Sequence, residues 1–155
     1  VAAFMVLYYG WLGVIAVIGL LVYGLITATL YRLIPITLTL PGVAGFLLSI
    51  GMAVDSNILI FERYREEIRA GRPWPVALEL GFGRAWNSIK DANLATIITG
   101  LILFNPLDWS FLNASGSVRG FALTLLLGIF ISLFTGIVVT RTLLRFFYKG
   151  AKQKP

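Results

Sequence analysis

Four long stretches of the 155-residue chain contain no charged side chain: Val1–Tyr31, Leu33–Val54, Ala92–Leu107 and Gly120–Thr140. Each is close to or longer than the about 20 residues that a helix needs to cross about 30 Å of hydrocarbon. The whole chain is 58% hydrophobic and 13% charged, with a mean hydropathy of +0.87, which excludes an ordinary water-soluble domain. We therefore predict an all-α polytopic membrane protein built as a transmembrane helix bundle.

The apolar stretches predict about five membrane spans, of which the first is truncated. One helix over residues 1–31 would be about 46 Å long, so it must break, and the glycines and aromatics of residues 8–13 favour a break there. The predicted spans are Val1–Tyr8, Gly13–Tyr31, Pro41–Glu62, Ile89–Phe104 and Val118–Arg141. Because the chain begins inside an apolar run, without an initiator Met or a basic leader, we expect it to be a piece of a longer protein.

The basic residues predict the orientation of these spans. Eleven of the thirteen Lys and Arg residues lie in segment 63–90 or in the tail that begins at Arg141, whereas Arg32 and Arg119 lie on the other side. The positive-inside rule then places segment 63–89 and the basic tail 151–155 in the cytoplasm. The truncated first span enters from outside, so any upstream domain is expected to be extracytoplasmic.

Segment 63–89 is expected to be structured. The i,i+3 pairs Glu62–Arg65 and Glu66–Arg69 can extend the third helix until Gly71 and Pro73 stop it. Pro75 suits the first turn of a helix, and apolar positions then predict a short helix on the inner membrane surface, with a solvated connector as the alternative. These positions are Trp74, Leu78, Phe82, Trp86 and Ile89.

Several kinds of chemistry are excluded by composition. The chain has no Cys and no His, so it has no disulfide, thiol nucleophile, imidazole base or ordinary zinc site. The net charge of +6 does not indicate a nucleic-acid partner, because the basic residues follow the spans and do not form one patch. Membrane lipid is the expected surrounding, and no cofactor is expected.

Asp55 is the most informative residue of the sequence. It lies seven residues before Glu62, or about 10 Å deeper along the helix. An ionised carboxylate at such a depth costs about 2.5–3.5 kcal/mol, and desolvation favours proton uptake. Asn or Ser would hold helices together at lower cost, so we predict that Asp55 binds and releases a cation, with Asn57 beside it. The alternative is a carboxyl group that never titrates and only joins two helices.

The fourth predicted span carries a second polar run. Asp91 and Asn93 lie near its cytoplasmic end, and Thr96 and Thr99 lie deeper. Asp91, Asn93 and Thr96 are candidates for the same ion-coupling site. Asp91 beside Lys90 could equally cap a helix at the interface, and the other polar side chains could pack against the third span.

Small residues form two stripes at helical spacing, and such stripes let helix backbones come close. One lies on the third span and one on the fifth, where a small residue recurs at every fourth position. The stripes are Gly45, Ser49, Ala53 and Ser56, and Gly120, Thr124, Gly128, Ser132, Gly136 and Thr140. Because helices repeat every 3.6 residues, the second stripe winds about 40° per step round its helix. We predict that both stripes pack helices, with relative sliding as their functional alternative.

Three stretches that together cover most of the chain carry a family resemblance. They read LTLPGVAGFLLSIGMAVDSNILIFERYREEIRAG (38–71), ALELGFGRAWNSIKDANLAT (77–96) and SVRGFALTLLLGIFISLFTGIVVTR (117–141). In this order they resemble the C-terminal membrane half of the SecD family, protein-export subunits of the RND superfamily. The run AVD-x-N-x-L-x-x-ER is similar to SecD and differs from its partner SecF.

The resemblance implies an RND-type bundle in the bacterial cytoplasmic membrane, with residues 1–150 supplying the second to sixth spans of SecD. It implies assembly with SecF, separate or fused, and work beside the SecYEG channel on a preprotein driven by SecA. The family uses the proton-motive force, or Na⁺ in some members. By resemblance Asp55 is the intramembrane proton site, and Asp91 and Asn93 belong to a polar motif of the fifth SecD span. No basic residue lies at the depth of Asp55, so a counter-charge is expected from the SecF half.

Three alternatives stay open on the sequence. An RND-type exporter of small molecules or lipids would carry similar intramembrane carboxylates. An intramembrane aspartyl protease would use Asp55 and Asp91 together, but its GxGD pattern is missing, and we expect no enzyme. An inert scaffold would keep Asp55 in one ionic form.

Overall fold

In the computed structural model of the chain, residues 1–110 and 115–151 are described, and side chains are described as far as Phe146. The predicted tail 151–155 therefore lies outside the described side chains. The described residues form helices joined by short non-helical connections and contain no strand, which confirms the all-α fold class. Its elements are α1 (Ala2–Tyr9), α2 (Trp11–Leu33), α3 (Leu40–Arg69), α4 (Trp74–Phe104), α5 (Gly116–Phe134), a π-helical segment (Thr135–Val139) and α6 (Thr140–Ala151).

Among the described residues, three helical stretches are long and apolar enough to cross a membrane: Trp11–Leu33, Leu40–Arg69 and Gly116–Phe146. The last of these runs without a break from α5 through the π segment into α6. The other two predicted spans correspond to α1, which has eight residues, and to the later part of α4.

The predicted break in the first apolar run lies at Gly10, between α1 and α2. Gly10 has φ 60° and ψ −120°, a backbone conformation that side chains strongly disfavour. The corner is tight: a Cβ on Gly13 would overlap the carbonyl oxygen of Met5. Only glycine at position 13 lets the two helices pack this closely.

Helices α3 and α4 form the central hairpin. Thr39 caps α3, its hydroxyl oxygen accepting a hydrogen bond from the Gly42 amide at 3.3 Å, and Gly71 ends it with φ 83°. The hairpin is closely packed, because a Cβ on Gly81 of α4 would lie 3.0 Å from the Tyr64 backbone of α3.

The predicted short surface helix is wrong as a separate element. Residues 74–104 form one continuous helix of 31 residues. Three of its apolar positions, Leu78, Phe82 and Ile89, are buried and belong to the largest core cluster, and α4 packs mainly against α3 and α5. These side chains are buried within the protein, so the first half of α4 is part of the helix bundle.

The ion pairs at this end of the hairpin differ partly from the predicted ones. Glu66 pairs with Arg63 at 3.0 Å, not with Arg69, while the Glu62–Arg65 distance is 3.9 Å. Two further basic residues pair with Glu67, and we call the end of the bundle where all these groups lie the basic end.

Glu67 is almost fully buried, with 3% of its side chain exposed. Arg72 lies 2.8 Å from one carboxylate oxygen, and Arg84 of α4 lies 2.7 Å from the other. A buried carboxylate needs such paired, hydrogen-bonded partners. We call these two ion pairs the clasp of Glu67; they join the end of α3 to the following turn and to α4.

Candidate ion-coupling site

Asp55 lies near the middle of α3, on the face that looks toward α4. It is exposed on this chain and lines a cavity of about 220 Å³ between the two helices. The α3 residues of this lining are Met52, Asp55, Ser56 and Leu59, and the α4 residues are Ile89, Ala92, Asn93 and Thr96. The structure therefore brings three of the predicted site residues, Asp55, Asn93 and Thr96, to one cavity.

The polar atoms around this cavity mainly offer oxygen acceptors. Asn93 donates through Nδ2 to the Ile89 carbonyl at 2.7 Å, so its donor is used within α4. The hydroxyls of Thr96 and Ser56 likewise donate to carbonyls of their own helices, at 3.3 Å each. Together with the Asp55 carboxylate, these oxygen atoms form an environment suited to a hydronium ion, a water-borne proton or a hard cation.

Asp91 and Thr99 lie outside the lining of this cavity. Both are exposed, and the Thr99 hydroxyl donates to the Ala95 carbonyl at 3.0 Å. The two aspartates of the membrane region thus do not share one site. Paired catalytic carboxylates require a shared site, so the geometry gives no support to protease chemistry.

Asn57 points away from Asp55, toward the fifth span. It is 5% exposed, and its Oδ1 accepts a hydrogen bond of 2.9 Å from the hydroxyl of Thr140, which is fully buried. Thr140 follows the π segment directly, and its hydroxyl also lies 3.3 Å from the Thr135 carbonyl. The π turn therefore presents Thr140 to the helix that carries Asp55. Such turns inside α-helices are frequent at functional sites.

The two predicted small-residue stripes face each other. Helices α3 and α5 run in the same direction, and close approaches recur in order along them. A Cβ on Gly45 would lie 2.7 Å from the Phe121 carbonyl and would overlap the Thr124 hydroxyl, and a Cβ on Gly136 would lie 3.5 Å from Ser56. The stripes therefore let α3 and the fifth span pack backbone to backbone.

The tightest point of this contact lies at Gly128. A Cβ there would overlap both Cβ and Oγ of Ser49. Ser49 is fully buried and shares a hydrogen bond of 2.5 Å with the Tyr23 hydroxyl of α2, so three helices meet here. The remaining stripe residues, Ala53 and Ser132, are also buried, whereas Gly120 lies at the rim, 3.4 Å by its Cβ position from the Thr39 hydroxyl.

The ion pairs of Arg119 and of Arg141 lie at opposite ends of the bundle, and Asp55 lies between these ends. Asp55 forms no ion pair with any residue that the structure describes. Arg119 lies at the end opposite to the basic end, 2.6 Å from Asp108. Arg141 lies at the basic end, where Glu79 accepts hydrogen bonds from it, at 2.6 Å, and from Arg145.

Two titratable groups at the basic end are perturbed. Hydrogen bonding from Arg145 and Arg141, against the opposing effect of burial, holds the pKa of Glu79 below its usual value. Burial, with a hydrogen bond of 2.9 Å to Glu62, raises the pKa of Tyr9 to about 12. Within residues 1–110 and 115–151 no three His, Cys, Asp or Glu side chains cluster as metal ligands would.

Sequence reasoning missed several contributors to this region, including Ile89 and Ala92 of α4. Met52 and Leu59 line the Asp55 cavity, and their spacing of three and four residues from Asp55 on a helix could have revealed them. The pairing of Thr140 with Asn57 joins residues 83 apart in the sequence, and no local pattern marks it.

Comparison with known proteins gives a consistent family. Residues 1–150 match the family model described as protein export membrane protein SecD/SecF, C-terminal. The chain is 49% identical over 146 residues to protein translocase subunit SecD of Thermobaculum terrenum, covering 94% of this chain and 28% of the relative. It is 51% identical over 144 residues to that of Synechocystis sp., covering 93% and 29%. The chain thus spans less than a third of the length of these relatives.

Solved structures agree with this. The crystal structure of SecDF, a translocon-associated membrane protein from Thermus thermophilus, matches with a TM-score of 0.89 at 37% identity, over 99% of this chain and 21% of that one. SecDF in its super-membrane-facing form matches with a TM-score of 0.84 at 38% identity, over 92% and 19%. The chain is a membrane protein of the SecD/SecF C-terminal family.

Proposed function

We propose that this chain is the membrane part of a protein-export subunit that couples cation movement across the bacterial cytoplasmic membrane to preprotein translocation. Asp55 is the ion site in this proposal, and H⁺ is the coupling ion, with Na⁺ as the alternative. The names of the related proteins, protein translocase subunit SecD and SecDF, support export of proteins over export of small molecules. We propose no enzymatic activity.

The observation that carries the proposal is the position of Asp55. The carboxyl group lies mid-helix in a cavity lined by amide and hydroxyl oxygens, and it is exposed on a face that this chain leaves open. Ionisable residues at such depth mark ion pathways by default. A unit charge crossing 100 mV yields about 2.3 kcal/mol, close to the about 2.5–3.5 kcal/mol that an ionised Asp costs in the membrane. The membrane voltage can therefore supply energy of the size that moving a cation to or from Asp55 requires.

The partner half supplies what this chain lacks. A carboxylate exposed on a membrane face needs a protein neighbour, so we propose that a SecF half covers Asp55 and provides its counter-charge. The SecYEG channel and the SecA-driven preprotein are the proposed further partners. Protonation removes the buried charge, and α3 then shifts against the fifth span along the stripes that meet at Gly128.

The test compares the two aspartates of the membrane region. Asp55→Asn should keep the protein folded and reduce translocation in inverted vesicles to the level seen without a proton-motive force. Asp91→Asn removes the same charge from an exposed position outside the cavity and should retain most of the stimulation. The measurement is preprotein import into vesicles that contain the complete protein with its partner, with and without a proton ionophore.

Full stimulation in Asp55→Asn vesicles would remove Asp55 from the mechanism. An equal loss of stimulation in Asp55→Asn and Asp91→Asn would contradict a special role for the carboxylate in the cavity. A Na⁺ ionophore that abolishes stimulation where a proton ionophore does not would identify Na⁺ as the coupling ion.

A further inference from the structure

A second, larger cavity lies beside the Asp55 cavity, toward the basic end. It measures about 350 Å³ and lies among α3, α4 and the end of the fifth span. Its lining residues are Ile60, Glu79, Phe82, Gly83, Trp86, Ile89, Ile137 and Arg141. A water molecule occupies about 30 Å³ in the liquid, so both cavities have room for several.

The two cavities meet at a single side chain. Ile89 lines both of them and is 2% exposed. The lining residues of α4 recur at spacings of three and four from Glu79 through Ile89 to Thr96, which places them along one face of the helix. The two cavities are therefore successive parts of one groove, and Ile89 divides it.

The far end of the larger cavity is polar. The Glu79 carboxylate and the Arg141 guanidinium lie there, joined by a hydrogen bond of 2.6 Å. The Nε atom of Arg141 is buried, and no described residue accepts a hydrogen bond from it. Buried donors are normally satisfied, and a water molecule in the adjoining cavity would accept this bond. The polar end can thus hold water, while the sec-butyl group of Ile89 cannot bind it.

We propose that the larger cavity is the access route of the cation between Asp55 and the basic side, and that Ile89 is the hydrophobic barrier in this route. The inference rests on the proposed function of Asp55 and assigns its path. Apolar constrictions stop ion and water passage by dewetting. A barrier at Ile89 keeps the cation from leaking while Asp55 is loaded from the other side, and a displacement of α4 against α3 would open it.

The test measures access to the Asp55 cavity from the basic side. The chain contains no cysteine, so Met52→Cys introduces one thiol into the lining of that cavity. A charged, membrane-impermeant methanethiosulfonate is added to inverted vesicles that hold the complete protein with its partner, both otherwise free of cysteine. Ile89→Ala should raise the labelling rate about tenfold, Ile89→Val should raise it less, and Ile89→Phe should lower it.

Ile129→Ala is the matched control. Ile129 is fully buried in α5 and lines neither cavity, so the same loss of volume there should leave labelling unchanged. Equal rates for the alanine variants of Ile89 and Ile129 would overturn the proposal. So would labelling that proceeds only from the opposite side of the membrane, in right-side-out vesicles.

The result can be separated from that of the proposed function. The charge of Asp55 changes all labelling rates of the nearby thiol in the same direction but not the order of the Ile89 variants, so the series is repeated with Asp55→Asn. If the order of the Ile89 variants holds while Asp55→Asn keeps full translocation, the barrier stands and the ion-site proposal falls. If Asp55→Asn abolishes stimulation while the Ile89 variants label alike, the ion site stands and the barrier falls.

Discussion

Single atoms set the distance between α3 and the fifth span. At Gly128 the helix surface is flat, and the Ser49 side chain fills the space that a Cβ would need. The Ser49 Cβ is fixed to its backbone and cannot move aside, so any larger residue at position 128 must push the helices apart. The hydrogen bond between Ser49 and Tyr23 would be strained by the same displacement.

Gly128→Ala should therefore destabilise the protein by about 1–3 kcal/mol, the usual cost of overpacking. Gly24→Ala is the control, because a Cβ there meets nothing within 4 Å and alanine favours helix formation over glycine by about 1 kcal/mol. Thermal unfolding of the purified complete protein in detergent measures both. Equal melting temperatures for the two variants would contradict the close approach.

The importance of individual residues could be predicted only where the cause is local. Asp55 could be singled out because a charge within an apolar helix is costly wherever that helix packs; the structure places it in a cavity, and its role stays a prediction. The two stripes were identifiable because small residues at spacings of four have few other uses in a membrane span. Asn57 was placed beside Asp55 in the predicted site, whereas the structure turns it toward Thr140. The direction of a side chain depends on which helix lies opposite, and one sequence does not specify that.

The ends of the helices could be predicted from the sequence better than the neighbours against which the helices pack. Gly10 and the Gly71–Pro73 turn end helices for backbone reasons, and both breaks were predicted. The first half of α4 was predicted to lie on the inner membrane surface because of its aromatic and other apolar positions. Such a pattern also fits a helix that packs on protein at the basic end, and no proline interrupts residues 76–104. The core cluster around Phe82 and Ile89 decides between these readings.

Glu79 joins two elements, α4 and α6, through Arg141 and Arg145. Its lowered pKa means that ionised Glu79 is favoured in the folded state, so its stabilisation is complete above the usual pKa of 4.5 and is lost as the pH falls through the folded value. Because the side chains are half exposed, the contribution should be below about 1 kcal/mol and decrease with salt.

We expect Glu79→Gln to lower the melting temperature slightly at pH 7 and to match the unmodified protein at pH values below the folded pKa of Glu79. Glu66→Gln is the control, because Glu66 pairs within its own helix and joins no second element. A pH-independent difference for Glu79→Gln would show that its ion pairs do not contribute.

At the scale of the whole molecule, the distribution of charge predicts how the bundle lies in the membrane. The basic end gathers the clasp of Glu67, the ion pairs of Glu79 and the contacts of Tyr9 with Glu62 and Arg65. The opposite end has the Asp108–Arg119 pair. We predict that the basic end faces the cytoplasm.

Two cysteine variants of the complete protein test this orientation. Arg69→Cys, at the exposed end of α3, should react with an impermeant thiol reagent in inverted vesicles and not in intact spheroplasts. Thr37→Cys, between α2 and α3, should show the reverse pattern. Reaction of both from one side would be incompatible with a membrane-crossing α3.

The π segment at Thr135–Val139 has a consequence for chain length. A π turn contains one residue more than the α turn it replaces, so a chain shortened by one residue here could continue as a regular α-helix. Because the extra residue would leave with the π turn, the helix beyond it would keep its direction, and Thr140 would still face Asn57. If the chain kept its length and the same segment became a regular α-helix, everything beyond it would rotate by about 100° about the helix axis. Thr140 would then turn away from Asn57, and the two arginines that hold Glu79 would leave it. The rotation of this helix about its own axis, which a hydropathy pattern does not record, thus links Thr140 to the arginines at the basic end.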